Sequence, residues 1–402
     1  MAKFHRNPKK QSNEQPFQTP EQVANLDTES SASPLINDDP LIPREETNMN
    51  KRKHKFWPPN KYVIISSIII VIALIVLGYR YLMLPKTVNT ISAPKINSQS
   101  SKPTTVASTL TGLQVSPSTN KLPITAVMIE NSLPARPQSG LGEAGVVIEA
   151  LTEGGISRFV ALYQSQNSTS IGPIRSARPY FVGWAMGFDA TYAHVGGSPQ
   201  GLQDISQWGI RDMNQFYNGN YYHRINSRVA PHNVYTTLAT LYKLEQTKGY
   251  TSSSFNSWPR KSTKPLTKPI VSSISLNISR TNYNVSYSYD AATNSYNRSE
   301  GGSAQIDAYT NKQISPTVVI AMVVPRSNGQ LDSTGAYYSV YQYIGSGNAY
   351  IFQNGNVIKA SWTKSSNSSQ IQFTNNNGQA ISLEPGQTWI TAVSSNSDVS
   401  YN

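Results

Sequence analysis

The sequence predicts a membrane-anchored protein with an α/β N-terminal ectodomain (mixed sheet with helices), a β-rich C-terminal domain and one transmembrane helix. Three observations lead to this fold class. Residues 62–79 form an uncharged apolar run. Short apolar runs bounded by Gly, Pro or Ser alternate with helical patterns over residues 121–250. Residues 270–395 hold alternating polar and apolar segments that are separated by Asn, Gly and Ser turns.

The apolar run, YVIISSIIIVIALIVLGY, is the predicted membrane span. Its 18 residues would cover about 27 Å as a helix, and further apolar residues extend it to position 84, which suits a hydrocarbon core of about 30 Å. We therefore predict a transmembrane helix at 61–84 that contacts the lipid bilayer through Tyr62–Leu84. Basic residues are dense just before the run and sparse after it, so the positive-inside rule predicts a single-pass signal anchor in the cell membrane. The N-terminus is then cytoplasmic and the C-terminal domains are extracytoplasmic.

Composition divides the remaining chain. Residues 1–60 are rich in Pro, Gln, Asn and Glu and predict a disordered cytoplasmic tail, because they cannot bury enough apolar surface to fold. Residues 85–120 predict a flexible stalk of Ser, Thr, Pro and Asn, and residues 251–269 predict a linker. The α/β domain is then expected at 121–250 and the β-rich domain at 270–395.

Charge is concentrated beyond the membrane segment. Residues 1–61 hold 10 Lys and Arg against 8 Asp and Glu, whereas residues 62–402 hold 24 against 14. A basic ectodomain favours anionic partners, and the extracytoplasmic location directs the prediction to an anionic envelope polymer, with no nucleic acid expected. The chain has no cysteine, so thiolate catalysis, disulfides and Cys-based zinc sites are excluded.

Local patterns place the elements of the two folded regions. Strands are predicted at 124–129, 146–151, 158–163 and 190–195, and helices at 179–188, 198–208 and 231–248. In the C-terminal region the strand predictions are 284–289, 317–324, 337–343 and 349–352. That region contains no histidine, so any catalysis is expected upstream of it.

Polar residues beside Gly and Pro cluster between positions 136 and 233, in loops where α/β folds place their sites. The segment Arg175–Arg178 sets two guanidinium groups just before a helix, an arrangement that suits phosphate or carboxylate binding. The alternative is that these arginines form structural ion pairs with Glu149, Glu153 and Asp189. The candidate ligand-binding residues are Arg136, Glu153, Arg158, Arg175, Ser176, Arg178, Asp189, His194, Ser198, Arg224, Arg228, His232 and Asn233.

Nucleophilic catalysis has one formal candidate, Ser198, with His194, His223 or His232 as its base. The sequence around Ser198 lacks the Gly-x-Ser-x-Gly elbow, and a serine before a helix is typical of an N-cap. We therefore prefer the capping interpretation and predict no catalytic residue.

Metal and carboxylate chemistry have weaker support. No His or Asp pair has recognised ligand spacing, so we predict no metal and no cofactor. A glycosidase would need two carboxylates close together, and Glu149 and Glu153 would share one face if they lay on a helix. The apolar run around Glu149 predicts a strand instead, so the sequence gives this hypothesis little support.

Several motifs occur in order along the chain: Ala135–Leu141, Glu149–Arg158, Ile171–Arg178, His194–Ser198, Pro231–Asn233, Gly355–Trp362 and Leu383–Trp389. Together they resemble one family, the YerB-like lipoproteins of bacterial envelopes, whose function is unknown. The resemblance covers about residues 120–393 and implies an α/β-like domain, a β-rich domain and an envelope location without an established activity. The lipid-anchored cysteine typical of the family is absent from this sequence, and the Tyr62 helix is expected to replace it.

Two functions remain open. The first is a membrane-anchored extracytoplasmic cell-envelope protein that binds an anionic ligand or envelope polymer through Arg-rich loops. The alternative is an envelope glycopolymer or phosphoryl-transfer enzyme acting on lipid-linked substrates, with Arg158, Arg175 and Arg178 clamping phosphate beside Asp189 or His194. Convergence of these side chains on one pocket would favour a site, and their dispersal into separate ion pairs would not.

Overall fold

The structure, a computed structural model, describes residues 60–83, 105–165, 167 and 169–402. The predicted tail, apart from residue 60, position 84 of the predicted transmembrane helix and residues 85–104 of the predicted stalk lie outside these described residues. The chain divides into two compact units, Met1–Ile96 and Asn97–Asn402, which are treated separately below.

In the first unit the described residues form helix α1, Lys61–Met83. Its window Ile65–Met83 has a mean hydropathy of 2.2 and no buried residue, and Ile, Val and Leu occur all around the helix. Among the described residues it is the one helix long and apolar enough to cross a membrane.

The α-helices of the second unit are α2 Pro179–Met186, α3 Pro199–Trp208 and α4 Leu238–Lys248. Residues typical of helix starts and ends mark their limits. Proline occupies the first turn of α2 and α3, and the side chains of Ser198 and Thr237 cap α3 and α4 by accepting backbone N–H groups. Gly209 and Gly249 follow α3 and α4 with φ of +69° and +74°, a conformation that glycine adopts without strain.

The strands of the described residues are short and numerous, and the first ten lie in the predicted stalk and α/β region. They are β1 Val106–Ala107, β2 Gln114–Val115, β3 Thr125–Glu130, β4 Val146–Leu151, β5 Ser157–Tyr163, β6 Ser170–Ile171, β7 Thr191–His194, β8 Arg211–Asn214, β9 His223–Arg224 and β10 Val234–Thr237. The others follow residue 270. They are β11 Ser273–Leu276, β12 Val285–Asp290, β13 Ser295–Glu300, β14 Ser303–Ala304, β15 Ile306–Asp307, β16 Lys312–Gln313, β17 Val318–Val323, β18 Arg326–Leu331, β19 Tyr337–Tyr341, β20 Gly345–Gln353, β21 Asn356–Lys364, β22 Gln372–Thr374, β23 Thr388–Val393 and β24 Val399–Tyr401.

A ten-stranded mixed sheet forms the centre of this unit, in the order β22-β21-β20-β17-β23-β4-β5-β3-β7-β8. The pairings β17–β23, β23–β4, β3–β7 and β7–β8 are parallel, and β5 runs antiparallel to both β4 and β3. Strands β3, β4, β7, β8, β17 and β23 therefore all point the same way. We call the edge where they end the carboxyl edge of the sheet; β5 begins there.

A second sheet, β14-β13-β12-β11-β24, is antiparallel throughout. Its strand β13 contributes Arg298, which is fully buried and forms a 2.9 Å ion pair with Glu149 of the central sheet. The Arg298 guanidinium also lies 4.3 Å from the ring centroid of Trp389, so charge and aromatic packing join the two sheets at this point.

The predicted fold class is confirmed: the N-terminal part has a mixed sheet with helices, and the C-terminal part is rich in strands. The central sheet takes strands from both predicted regions, because β4 pairs with β23 over four residues. The exact domain boundary that we drew at 251–269 stays a prediction.

The structure corrects the predicted extent of the stalk. Residues 105–120 were assigned to a flexible segment, yet β1 and β2 pair in a hairpin and Leu110 is buried in the core. The Ser- and Thr-rich composition concealed this single apolar anchor. The predicted linker likewise packs on the sheet: Trp258 is buried, and Arg260 donates to the carbonyl groups of Glu384 and Leu110.

The helix predicted at 231–248 begins seven residues later than expected. Val234–Thr237 instead form β10, which pairs with β6 and β9. The β-branched residues of this segment fit a strand better than a helix, and Thr237 then serves as the helix cap.

Candidate functional site

The carboxyl edge of the central sheet gathers many of the predicted site residues. Glu130 ends β3, Glu153 follows β4, Arg158 begins β5 and His194 ends β7. Because the strands that end here run in parallel, side chains far apart in sequence become neighbours, as expected of open α/β sheets. Glu130 and Arg158 are paired directly across β3 and β5.

Glu153 is shared by two arginines. Arg178 Nε donates to Glu153 Oε2 at 2.9 Å and Arg178 Nη2 donates to Oε1, while Arg158 Nη2 lies 3.5 Å from Oε1. Burial alone would raise the pKa of Glu153, but the two guanidinium groups together lower it below its ordinary value. Burial, and then repulsion from Arg178, lower the pKa of Arg158 to about 10. One carboxylate thus faces two cations, and the group keeps a net positive charge.

Backbone carbonyl groups of the segment between β6 and α2 also hold Arg158 and Arg178 in place. Arg158 Nη1 donates to the Ser176 carbonyl at 2.8 Å, and Arg178 Nη1 donates to the Ala177 carbonyl at 2.6 Å. Ser176 therefore contributes its carbonyl oxygen to this cluster. The Nε–H groups of Arg158 and Arg175 are buried and have no hydrogen-bond acceptor among the described residues. Each of these two guanidinium groups therefore has an unused donor.

Glu130 organises a second cluster. His232 Nδ1 lies 3.0 Å from both carboxylate oxygens of Glu130, Ser132 Oγ donates to Oε1 at 2.8 Å, and Arg175 Nε lies 3.3 Å from Oε1 without hydrogen-bond alignment. Glu130 is buried, so these partners compensate a charge that would otherwise be costly. Arg175 and His232, predicted separately, therefore meet on one carboxylate that the sequence did not single out.

A groove of about 470 Å³ opens beside Arg178. Tyrosine rings form one wall: Tyr338 lies under the Arg178 guanidinium, whose carbon is 5.5 Å from the ring centroid, and Tyr180, Tyr341 and Tyr343 continue the wall. We call this the tyrosine groove. Its other lining residues are Pro179, Ser198, Pro199, Gln200, Gln203, Gly329, Gln330, Ser339 and Val340.

Hydrogen bonds hold the rings of the tyrosine groove in place. Tyr180 donates to the Leu151 carbonyl at 2.6 Å, and Tyr341 accepts from the Leu151 N–H at 3.0 Å. The Tyr180 and Tyr341 rings pack edge to face with centroids 4.7 Å apart. The groove therefore lies against the buried, hydrogen-bonded rings of Tyr180 and Tyr341. It presents the half-buried rings of Tyr338 and Tyr343, Gln side chains and the side chain of Arg178, which is 7% exposed.

His194 and Ser198 have structural partners. The His194 ring is fully buried, with Nδ1 2.6 Å from the Gly196 carbonyl and Nε2 2.9 Å from Asp212 Oδ1. Ser198 Oγ accepts the N–H of Gly201 at 3.1 Å as the cap of α3. Since both ring nitrogens of His194 face other oxygen atoms, the geometry supports the capping interpretation of Ser198 over that of a nucleophile.

Asp189 lies at the other edge of the sheet. It precedes β7, whereas His194 ends that strand, so the strand length separates the two side chains. Asp189 Oδ2 pairs with Arg211 at 2.8 Å and accepts the Ser254 N–H at 2.8 Å. The structure therefore does not bring Asp189 together with the arginines of the carboxyl edge.

The remaining predicted arginines stabilise loops by hydrogen bonds and an ion pair. Arg224 donates to Asn233 Oδ1 at 2.6 Å, and Arg228 donates to the carbonyls of Pro134 and Pro137. Arg136 pairs with Glu300 at 3.0 Å. These arginines bind backbone or side-chain oxygens of their own chain. Among the described residues, no group of three or more His, Cys, Asp or Glu could hold a metal ion.

Sequence reasoning missed the residues contributed by partner strands. Glu130 and Arg298 lie in otherwise regular strands, and Tyr338 lies in a hairpin far along the chain. A carboxylate ending the apolar strand Thr125–Glu130 was an available sign, because α/β sheets place functional groups there. Nothing local indicated that Tyr338 would reach Arg178.

The fold and the site define a class: a strand-rich mixed α/β protein whose polar edge carries arginine–glutamate clusters beside an aromatic groove. Residues 110–251 match the N-terminal domain, and residues 274–390 the C-terminal domain, of the family described as "Protein of unknown function (DUF3048)". The chain belongs to this family.

One relative and its structure support the assignment. "Putative lipoprotein YerB" of Bacillus subtilis (strain 168) is 33% identical over 295 residues, which cover 71% of this chain and 85% of the relative. The crystal structure of the YerB protein from Bacillus subtilis is similar with a TM-score of 0.66 at 30% identity, covering 74% of this chain and 99% of that one. The lipoprotein relative and helix α1 together indicate membrane association.

Proposed function

We propose that this protein is anchored in the cell membrane by α1 and exposes its second unit outside the cytoplasm, where the tyrosine groove binds an anionic envelope polymer. The observation that carries the proposal is the convergence of Arg178, fixed tyrosine rings and Gln side chains on one open groove. Aromatic rings pack against the apolar faces of sugars, and a guanidinium group pairs with carboxylate or phosphate substituents.

Charge at the carboxyl edge supports an anionic ligand. Arg158 and Arg178 form ion pairs with the same carboxylate, that of Glu153, so this cluster of two cations and one anion retains a positive charge next to the groove. The ectodomain as a whole is basic, which would raise the local concentration of a polyanion before it binds. Ser198, at the N-terminus of α3, lines the same groove.

The phosphoryl-transfer alternative has less support. It required Asp189 or His194 beside the arginines, but Asp189 pairs with Arg211 at the opposite edge and His194 is fully buried between Gly196 and Asp212. A binding role needs neither residue to reach a substrate.

Binding can be tested on the full chain in micelles of an uncharged detergent. We expect polygalacturonate to bind and uncharged dextran to bind at least about tenfold more weakly. Polygalacturonate binding should weaken at high salt, because salt screens the partly solvated ion pairs between the protein and the polymer. Polyphosphate is a further arm that separates a preference for anionic sugars from a preference for any polyanion.

A matched pair of variants localises the binding. Tyr338→Ala removes the ring under Arg178 and should weaken polygalacturonate binding about tenfold, which corresponds to about 1.4 kcal/mol. Tyr337→Ala removes the neighbouring exposed ring, which does not line the groove, and should leave binding unchanged. Equal effects of the two variants, or equal binding of dextran, would refute the assignment of the groove.

The orientation has its own test. A reporter enzyme that works only outside the cytoplasm, fused after Asn402, should be active in intact cells. Reversing the charge bias, by replacing Lys51, Arg52, Lys53 and Lys55 with Gln, should reduce that activity. Activity only of a cytoplasm-restricted reporter would overturn the proposed topology.

A further inference from the structure

A second polar pocket, of about 450 Å³, lies away from the tyrosine groove. Its walls come from the loop after β3 and from the strands β13–β15, that is, from the two regions that match the two family domains. Ligand sites occur preferentially at such junctions. We call it the Glu300 pocket, after the carboxylate at its centre.

Glu300 is only half satisfied by the protein. Its Oε1 accepts from Asn131 Nδ2 at 2.6 Å and from Arg136 Nη2 at 3.0 Å. Its Oε2 is buried and has no hydrogen-bond partner among the described residues, and the side chain is 2% exposed. Glu300 thus lines the pocket with a carboxylate of which one buried oxygen has no donor, a specific unmet requirement.

Among the described residues, none of the side chains bonded around Glu300 donates to this oxygen. Gln138 Nε2 donates to the Glu130 carbonyl and to Asn131 Oδ1, and Gln305 Nε2 donates to Gln138 Oε1. Arg136 directs its other N–H groups to the carbonyls of Asn131 and Asn282. Oε2 of Glu300 therefore lacks a donor, which a molecule bound in the pocket would supply.

We propose that the Glu300 pocket binds a small polar molecule through a protonated amine, which donates to Oε2 of Glu300. A charge-assisted bond to an ammonium group supplies both the missing donor and a compensating charge. The site takes a cation, in contrast to the anionic ligand of the tyrosine groove, and does not depend on that proposal.

The ionisation of Glu300 gives the binding a pH dependence. Burial raises the pKa of Glu300 to about 7, with the Glu149 carboxylate adding to the effect and Arg298 and Arg136 opposing it. Below this pKa Glu300 is protonated and no longer attracts an ammonium group. The charged and titratable groups that face Glu300 or its partner Arg136 are Arg136, Glu149, Tyr283, Arg280 and Arg298.

Glucamine (1-amino-1-deoxysorbitol) and sorbitol form a matched pair of probes, since they differ in one amine and are small enough for the pocket. In calorimetric titrations of the full chain in detergent at pH 8, we expect saturable binding of glucamine and at least tenfold weaker binding of sorbitol. Glucamine affinity should fall about tenfold between pH 8 and pH 6, as a carboxyl with a pKa of about 7 becomes protonated.

Glu300→Gln keeps the shape of the side chain and removes its charge, so it should lose at least tenfold in glucamine affinity together with the pH dependence. Glu143→Gln, at an exposed glutamate outside the pocket, is the matched control and should change neither. Thermal unfolding of each variant reports whether it folds. Should Glu300→Gln not fold, the comparison of glucamine with sorbitol and the pH series on the unmodified chain still decide. Equal binding of the two probes, no binding of either, or an affinity independent of pH would overturn the proposal.

Discussion

Two glutamates four residues apart in sequence have opposite surroundings in the fold. Glu149 lies inside, between the two sheets, and pairs with Arg298 at 2.9 Å with both side chains fully buried. Glu153 lies at the carboxyl edge, where its side chain is 19% exposed and serves two arginines. The first pair joins parts of the chain 149 residues apart, and the second borders a groove. Similar ion pairs thus serve packing in one place and surface charge in the other.

The inner pair is satisfied almost completely. Glu149 also accepts from Ser157 Oγ at 2.9 Å, and Arg298 donates to the Tyr287 hydroxyl at 2.7 Å and to Gln305. Burial alone would lower the pKa of Arg298, but the Glu149 carboxylate raises it above its ordinary value. Arg298 is therefore charged in the fold, and its buried charge depends on the Glu149 carboxylate for compensation.

The largest expected effect comes from breaking this inner pair. Arg298→Met leaves Glu149 as a buried charge without its cation and should lower the free energy of unfolding by about 3–5 kcal/mol, measured by urea denaturation. Replacing Glu149 by Leu in the same protein should recover part of the loss, because no unpaired charge then remains.

Arg280→Met is the control for this substitution, since Arg280 is exposed, and should change the stability by less than about 1 kcal/mol. If Arg298→Met and Arg280→Met had similar effects, the inner pair would not be the structural link described here.

The contrast also explains what the sequence could and could not predict. The strands β3, β4, β5 and β7 were placed to within about one residue, because buried strands are apolar runs with clear ends. The polar clusters lie near strand ends, but Glu130, Arg158 and His194 belong to the strands themselves and not to the loops that we predicted. Partners could not be named: Arg298 is 149 residues from Glu149, and only the pairing of the sheets brings them together.

The same limit explains why several arginines that we predicted to bind a ligand instead bind oxygens of the protein itself. Their number suggested free anion-binding groups, yet Arg136, Arg224 and Arg228 each bind oxygens of other loops or strands. Composition reports how many cations a region holds but not how many acceptors fold against them. Arg178 differs because its partner Glu153 is shared with Arg158, and because its side chain, although only 7% exposed, lines the tyrosine groove.

A smaller effect is expected at the edge. Glu153→Gln retains hydrogen-bonding groups and stays partly solvated, so the loss in unfolding free energy should be about 1 kcal/mol at pH 7. The pH dependence follows from the lowered pKa of Glu153. Its contribution is present above the ordinary carboxyl pKa and is lost as pH falls through the lowered folded-state value. Unfolding measured from pH 7 to pH 3 should therefore show that the difference between the unmodified chain and Glu153→Gln shrinks on acidification.

In the Glu153→Gln variant, polygalacturonate affinity should increase although the free energy of unfolding decreases. Removing the one carboxylate shared by Arg158 and Arg178 leaves both guanidinium groups without their anion next to the tyrosine groove, so polygalacturonate affinity should rise a few-fold at low salt. Glu143→Gln changes the net charge of the protein equally but lies away from the groove, and should change the affinity less. A fall in affinity for Glu153→Gln would mean that the carboxylate itself orients Arg178 for the ligand, and that the ion pair at the edge, like the inner one, acts by fixing geometry.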